Sequence, residues 1–257
     1  MKNLTNLSLF SGIGGLDLAA EWAGFTTVGQ CEWNPYATKV LEKHWPNVER
    51  WKDVHELSAD EFYRRTGIEG GQLTCISGGF PCQPHSVAGM RKASGDERDL
   101  WPEYRRIVDE IRPKWVVAEN VRGLLSSEDG RFFRRILRDF ADMGYDVGWC
   151  CYRAADVGAI HARERIGIVA HTNQDGFGKR IIQEPKKMYK RNEACYYPES
   201  KNLLTLWRAN QSAICRKDDG IDDWVDRIAT LGNMVVPQQF YPIFKAIADI
   251  ERGETIA

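Results

Sequence analysis

The chain has 257 residues, enough for one large domain or one domain with a small insertion, and its seven cysteines are an odd number with no repeated metal-type spacing. That usage, with no secretory leader, argues against a disulfide framework and for a reducing cytoplasm, so the cysteines are expected as free thiols. No apolar run approaches the roughly 18 residues of a membrane span, and a net charge of −1 gives no overall attraction to polyanions, so any nucleic-acid surface must be local.

The first 171 residues alternate short apolar strands with amphipathic helices, the pattern of an α/β domain on a mainly parallel sheet. Strands are expected over residues 7–10, 27–32, 73–77, 115–119, 146–152 and 166–171. The first runs into the glycine turn Ser11-Gly12-Ile13-Gly14-Gly15 and then a helix over residues 16–22. Glycines there let a ligand approach the backbone, and the helix start offers free N–H groups. The spacing is not the GxGxxG of dinucleotide folds. Glu32 ends the next strand 17 residues after Gly15, where a carboxylate can accept both hydroxyls of a ribose. Trp33 can stack on adenine, and Asp53, after a helix over residues 36–45, can accept from the adenine amino group. Taken singly these are ordinary surface residues; together they outline a nucleoside pocket.

The next strand leads into Gly78-Gly79-Phe80-Pro81-Cys82-Gln83-Pro84-His85-Ser86. Ligands of open α/β sheets gather beyond the carboxyl ends of the strands, so a cysteine held there between two prolines is a candidate nucleophile. A lone cysteine is more often a small buried hydrophobe. What sets this one apart is Glu119-Asn120-Val121, which closes another apolar strand at the same edge. Phe132, Phe133, Ile136, Leu137, Phe140 and Ala141 recur at helical spacing ahead of Gly144 and make a core helix. In His161-Ala162-Arg163-Glu164-Arg165 the arginines alternate, so on a strand both share one face.

From residue 172 to 227 the periodicity fails. Residues 179–217 hold ten Lys or Arg against Glu184, Glu193 and Glu199, a local balance of +7, and an acidic stretch from Asp218 to Asp226 follows. Phe240, Ile243, Phe244, Ile247 and Ile250, after Pro237, then mark a terminal helix with one buried face.

The strings Phe10-Ser11-Gly12-Ile13-Gly14-Gly15, Pro81-Cys82-Gln83, Glu119-Asn120-Val121, Arg163-Glu164-Arg165 and Gly232-Asn233-Met234-Val235-Val236-Pro237-Gln238 stand in the order and spacing of the DNA (cytosine-5) methyltransferase family. The chain resembles that family over nearly its whole length except residues 172–227. The resemblance implies a Rossmann-like methyltransferase fold, discontinuous over residues 1–171 and 228–257, with residues 172–227 inserted as a small target-recognition region. It implies S-adenosyl-L-methionine as methyl donor, held by Phe10, Gly12, Ile13, Gly14, Gly15, Leu16, Glu32, Trp33, Asp53, Val54, Pro81, Asn233 and Val235. It makes Cys82 the nucleophile that adds to carbon 6 of a flipped cytosine, Glu119 the acid at ring nitrogen 3, and Arg163 and Arg165 the groups that orient the base. It also implies duplex DNA as partner, a restriction-modification setting, an intracellular monomer, and neither metal nor membrane.

The chain departs from the family pattern at His85 and His161, where Phe and Gln are usual, and in lacking the motif that normally precedes the last one. A transfer-RNA cytosine-5 methyltransferase and a non-catalytic DNA-binding relative are the alternatives. A nicotinamide-dependent oxidoreductase lacks its GxGxxG here and gives no role to Cys82 with Glu119.

Overall fold

The computed structural model describes residues 3–81, 99–159, 163–172 and 234–253. Seven strands, β1 (Leu4–Leu9), β2 (Phe25–Cys31), β3 (Glu49–Trp51), β4 (Cys75–Gly78), β5 (Trp115–Val121), β6 (Tyr145–Arg153) and β7 (Glu164–Thr172), form one sheet in the order β3-β2-β1-β4-β5-β7-β6. The pairings from β3 through β5 are parallel, and β7 runs antiparallel to both β5 and β6. The helices are α1 (Gly15–Trp22), α2 (Pro35–His44), α3 (Ala59–Thr66), α4 (Trp101–Ile111), α5 (Arg131–Asp142) and α6 (Pro237–Arg252).

A parallel sheet must be covered on both faces, and β5 shows how the sequence meets that demand. Trp115 and Val117 join α1 and α6 in one apolar cluster, while Val116 and Ala118 join α3, α4 and α5 in another. The period-2 alternation of the strand thus feeds two cores. Helix α6 is pinned at its far end as well: the buried Glu251 carboxylate accepts from Trp115 Nε1 and Lys114 Nζ, each at 2.9 Å. Among the described residues no helix is long and apolar enough to cross a membrane.

The six expected strands are present, with shifted ends. β1 stops at Leu9 because Phe10 takes a left-handed backbone (φ 52°) and begins the turn. β7 starts earlier than its apolar run because Glu164 and Arg165 still pair with Arg153 and Tyr152 of β6. Strand β3 is too short for an alternation to show, and α3 buries deeply only Phe62. Helix α4, by contrast, carries a plain stripe of Trp101, Tyr104, Ile107, Val108 and Ile111 that the strand-centred reading passes over.

Candidate active site

The carboxyl ends of β1, β2, β3, β4 and β5 lie along one edge of the sheet, and the residues expected to act lie there. After β1, Gly12 has φ +55°, with nothing within 4 Å of the place where a Cβ would stand. Among the described residues, nothing occupies the space beside this turn. Gly14, also left-handed, has the Trp45 ring where a Cβ would stand, and a Cβ on Gly15 would come 2.5 Å from the Val235 carbonyl oxygen. Those two glycines are therefore required by packing, and the segment ahead of α6 lies directly on the first turn. Ile13 is half-buried in the turn, whereas Leu16 turns into the core beside α6.

Glu32 follows β2, and its carboxylate accepts from the backbone N–H of Gly12 at 2.7 Å and of Asn34 at 2.8 Å. Burial still raises its pKa above the usual carboxylate range, against those hydrogen bonds. Asn34 in turn caps α2 by accepting from Tyr36 and Ala37 N–H, with Pro35 at the first helical position. Trp33 beside it is 76% exposed, a large apolar face with nothing over it among the described residues. Asp53 caps the short turn of Val54–Glu56, and one of its oxygens accepts from the main chain of His55 at 2.9 Å and meets its ring at 2.6 Å. Val54 is buried in the core.

The chemical half is built on β4, β5 and β7. Glu119 is 8% exposed, and burial lifts its pKa to about 7 even though Arg165 and Arg163 both pull it down. Arg165 Nε sits 2.7 Å from Glu119 Oε1. The reversal of β7 makes this possible: its first residues run alongside the last of β5, with Arg165 opposite Val121. Arg163 immediately precedes β7, and burial and the neighbouring Arg165 charge lower its pKa while Glu119 opposes that shift. The second Glu119 oxygen lies over Gly79, where a Cβ would approach it to 2.7 Å.

Three further side chains, none of them assigned a role from the sequence, organise this edge. Asn120 Nδ2 donates to the Phe80 carbonyl at 2.9 Å and its Oδ1 accepts from Val121 N–H at 2.8 Å, so β5 holds the segment leaving β4. Phe80 anchors that segment from the other side by packing on Trp101 and Tyr104, with ring centroids 5.1 and 5.7 Å away. Gln239, fully buried in the first turn of α6, donates from Nε2 to the carbonyls of Tyr152 (3.0 Å) and Arg163 (3.2 Å). Asn120 stands inside the motif, and a glutamine on the buried side of an apolar helix was the available sign for Gln239.

Pro81 is half-buried at the end of the described loop, and Val235 is buried under the first turn. Cys82, His85, His161, Asn233 and the basic and acidic stretches between residues 179 and 226 lie outside the described residues. Cys75 is buried within β4, where burial raises its thiol far above the ordinary range, so it has no nucleophilic character. Among the described residues no group of three or more His, Cys, Asp or Glu could hold a metal ion.

Residues 4–247 match the sequence model of a family described as C-5 cytosine-specific DNA methylase. The chain is similar to the Type II methyltransferase M.NgoMIV of Neisseria gonorrhoeae, with 36% identity over 171 residues that cover 66% of this chain and 52% of the relative. To the Type II methyltransferase M.FnuDI of Fusobacterium nucleatum it is 37% identical over 161 residues, 62% of this chain and 44% of the relative. Among solved structures, a prophage-encoded Escherichia coli protein assigned as a DNA modification methyltransferase superposes with a TM-score of 0.58 at 27% identity, over 66% of this chain and 47% of that one. The chain thus spans about half the length of the curated relatives it matches.

Proposed function

The chain belongs to the C-5 cytosine-specific DNA methylase family, and from that membership we propose that it methylates carbon 5 of a cytosine in DNA, with Cys82 as nucleophile and S-adenosylmethionine as donor. The observation that carries the proposal is Glu119: a buried carboxyl with a pKa near 7, touched by Arg165 and lying against Gly79, three residues before Cys82. Carbon 5 of cytosine is too weak a nucleophile to be alkylated directly. In the proposed reaction the Cys82 thiolate adds to carbon 6, and Glu119 gives its proton to ring nitrogen 3 as charge builds there. The ring becomes an enamine that is nucleophilic at carbon 5. Carbon 5 would then take the methyl group, the donor's sulfonium leaving as a neutral thioether; loss of the carbon 5 proton to a base and return of the nitrogen 3 proton to Glu119 expel Cys82 as thiolate and restore the aromatic ring. A carboxyl that is half protonated near neutral pH suits both the donation and the return of that proton. A base in a duplex cannot reach such a site without leaving the stack, so the target is a flipped nucleotide. Residues 172–227 form the proposed target-recognition region, with the rest of the chain as the catalytic domain.

The cofactor side fits a nucleoside. An open glycine turn, a strand-end carboxylate in Glu32, an exposed indole in Trp33 and the capping carboxylate of Asp53 stand at consecutive strand ends, and Phe10, Pro81, Asn233 and Val235 belong to the segments that border them. When bound, S-adenosylmethionine supplies an electrophilic methyl group; Glu32 and Asp53 would hold its adenosine half.

DNA carrying 5-fluorocytosine at the target tests the chemistry, because fluorine cannot leave carbon 5 as a proton. With S-adenosylmethionine present, the protein should become bonded to that DNA, survive denaturing electrophoresis, and map to Cys82. Cys82→Ser should give no adduct. An adduct formed with RNA but not DNA would move the substrate to RNA. Methylation of ordinary cytosine at carbon 5 without any adduct, or an adduct on another cysteine, would overturn the assignment of Cys82.

A further inference from the structure

The first turn of α6 touches both halves of the site. Val235, just ahead of the helix, has its carbonyl over Gly15 of the cofactor-side turn. Gln239 reaches the opposite way. It is the third residue of the helix, the position from which a glutamine side chain commonly folds back onto the N-terminal backbone. Here it does not: α6 has no side-chain cap, and the Gln239 amide crosses to β6 and to the residue before β7. The Arg163 carbonyl it meets also accepts from Ala154 N–H at 2.9 Å. Arg163 is therefore fixed at its main chain by two donors from two different elements. Its charge acts on Glu119, and Arg165 and Arg163 are the described cations that do so.

We propose that Gln239 is a positioning residue: from the first turn of α6 it holds the main chain of Arg163 so that the guanidinium stays within electrostatic reach of Glu119. Through the same turn it ties that arginine to the segment that covers Gly15, so the cofactor-side and base-side halves share one anchor. As a contribution to catalysis this rests on the function proposed above; as a statement of what sets the surroundings of Glu119 it stands apart from it.

The test follows the Glu119 carboxyl by carbon-13 NMR in protein with labelled glutamate, without DNA or cofactor, in wild type, Gln239→Met and Gln239→Asn. Methionine keeps the shape and removes both donors, whereas asparagine keeps an amide one methylene shorter. If Arg163 drifts away, less positive charge faces Glu119 and its titration midpoint must rise, by about half a unit or more in Gln239→Met and by less in Gln239→Asn. In the active protein kcat should fall roughly 10- to 100-fold while KM for DNA changes less than about threefold. Urea unfolding of each variant separates these effects from a loss of folded protein, and Gln239→Asn decides the matter if Gln239→Met does not fold. A Glu119 midpoint identical to wild type in a folded variant overturns the proposal, whatever the activity. A raised midpoint in a protein that methylates no cytosine leaves Gln239 as the anchor and removes the proposed reaction instead.

Discussion

Replacing Glu119 by glutamine should remove a pH dependence of stability that the wild-type protein carries. The carboxyl titrates at about 7 in the folded chain and at 4.5 when freely solvated, so the native state binds a proton more tightly than the unfolded state. Between those values the native state holds more protons, and stability must fall as pH rises. At about 1.4 kcal/mol per pKa unit, the full difference approaches 3 kcal/mol between pH 4 and pH 8. Glutamine cannot titrate, so the gap in unfolding free energy between Glu119→Gln and wild type should move by that amount across the range. Its absolute offset depends on how Arg165 accepts a neutral partner, which is why the change with pH is the quantity to read. Urea unfolding at half-unit steps of pH, fitted with a common m-value, supplies it. Parallel pH profiles for the two proteins would mean that Glu119 ionises like a surface carboxylate, and burial would then have been outweighed by the two arginines.

Asp17→Asn should abolish a second fall in stability, of about 3 kcal/mol between about pH 3 and pH 8, because this buried carboxyl titrates at about 6 against 3.8 in solvent; a profile unchanged from wild type in urea unfolding refutes it. Asn120→Ala strips the Phe80 carbonyl of its described donor and should cost about 1–3 kcal/mol in the same assay, with slower adduct formation at Cys82; full stability and full rate together would show that β5 does not hold that loop. Gly79→Ala should be costly beside Glu119, where the added Cβ meets Oε2 at 2.7 Å, and much cheaper in a Glu119→Ala background, giving a coupling above about 1 kcal/mol; additive effects would disprove the contact. Glu32→Ala should weaken S-adenosylmethionine roughly 10- to 150-fold in calorimetric titration, and an unchanged dissociation constant would remove Glu32 from the pocket.

What could be read in the sequence was whatever a short run of residues decides by itself. Strands β1, β4, β5 and β7 announce themselves as apolar runs because both faces are buried, and Phe132 to Ala141 announce α5 by their spacing. Glu119 and the arginines were legible as motif members, but their pairing was not, because it depends on β7 reversing direction next to β5, and no local pattern encodes the direction of a neighbour. Gly79 illustrates the same limit. Its need to be glycine comes from a carboxylate 40 residues away in the chain. Gln239 was legible only in part: standing four residues before Ile243, it falls on the apolar side of α6, but the carbonyls it meets are set by how α6 packs against β6 and the residue before β7.

Two buried carboxyls, Asp17 and Glu119, show why a raised pKa does not by itself mark an active site. Asp17, in the first turn of α1, has one oxygen accepting from Ser8 Oγ and the other from Gln30 Nε2, each at 2.8 Å. Gln30 passes the chain on to Arg50 at 3.0 Å, and Arg50 donates to the carbonyls of Leu41 and Trp45 at the end of α2. Every described group along that line has its partner inside the protein, so Asp17 ties α1, β1, β2 and α2 together and has no oxygen to offer a ligand. Glu119 differs in arrangement more than in burial. One oxygen is held by Arg165, and the other lies against a glycine that leaves no side chain in the way, at a sheet edge where strands end. A proton on Asp17 can only stabilise or loosen the fold, whereas a proton on Glu119 stands where the loop to Cys82 begins, and a substrate atom can take it.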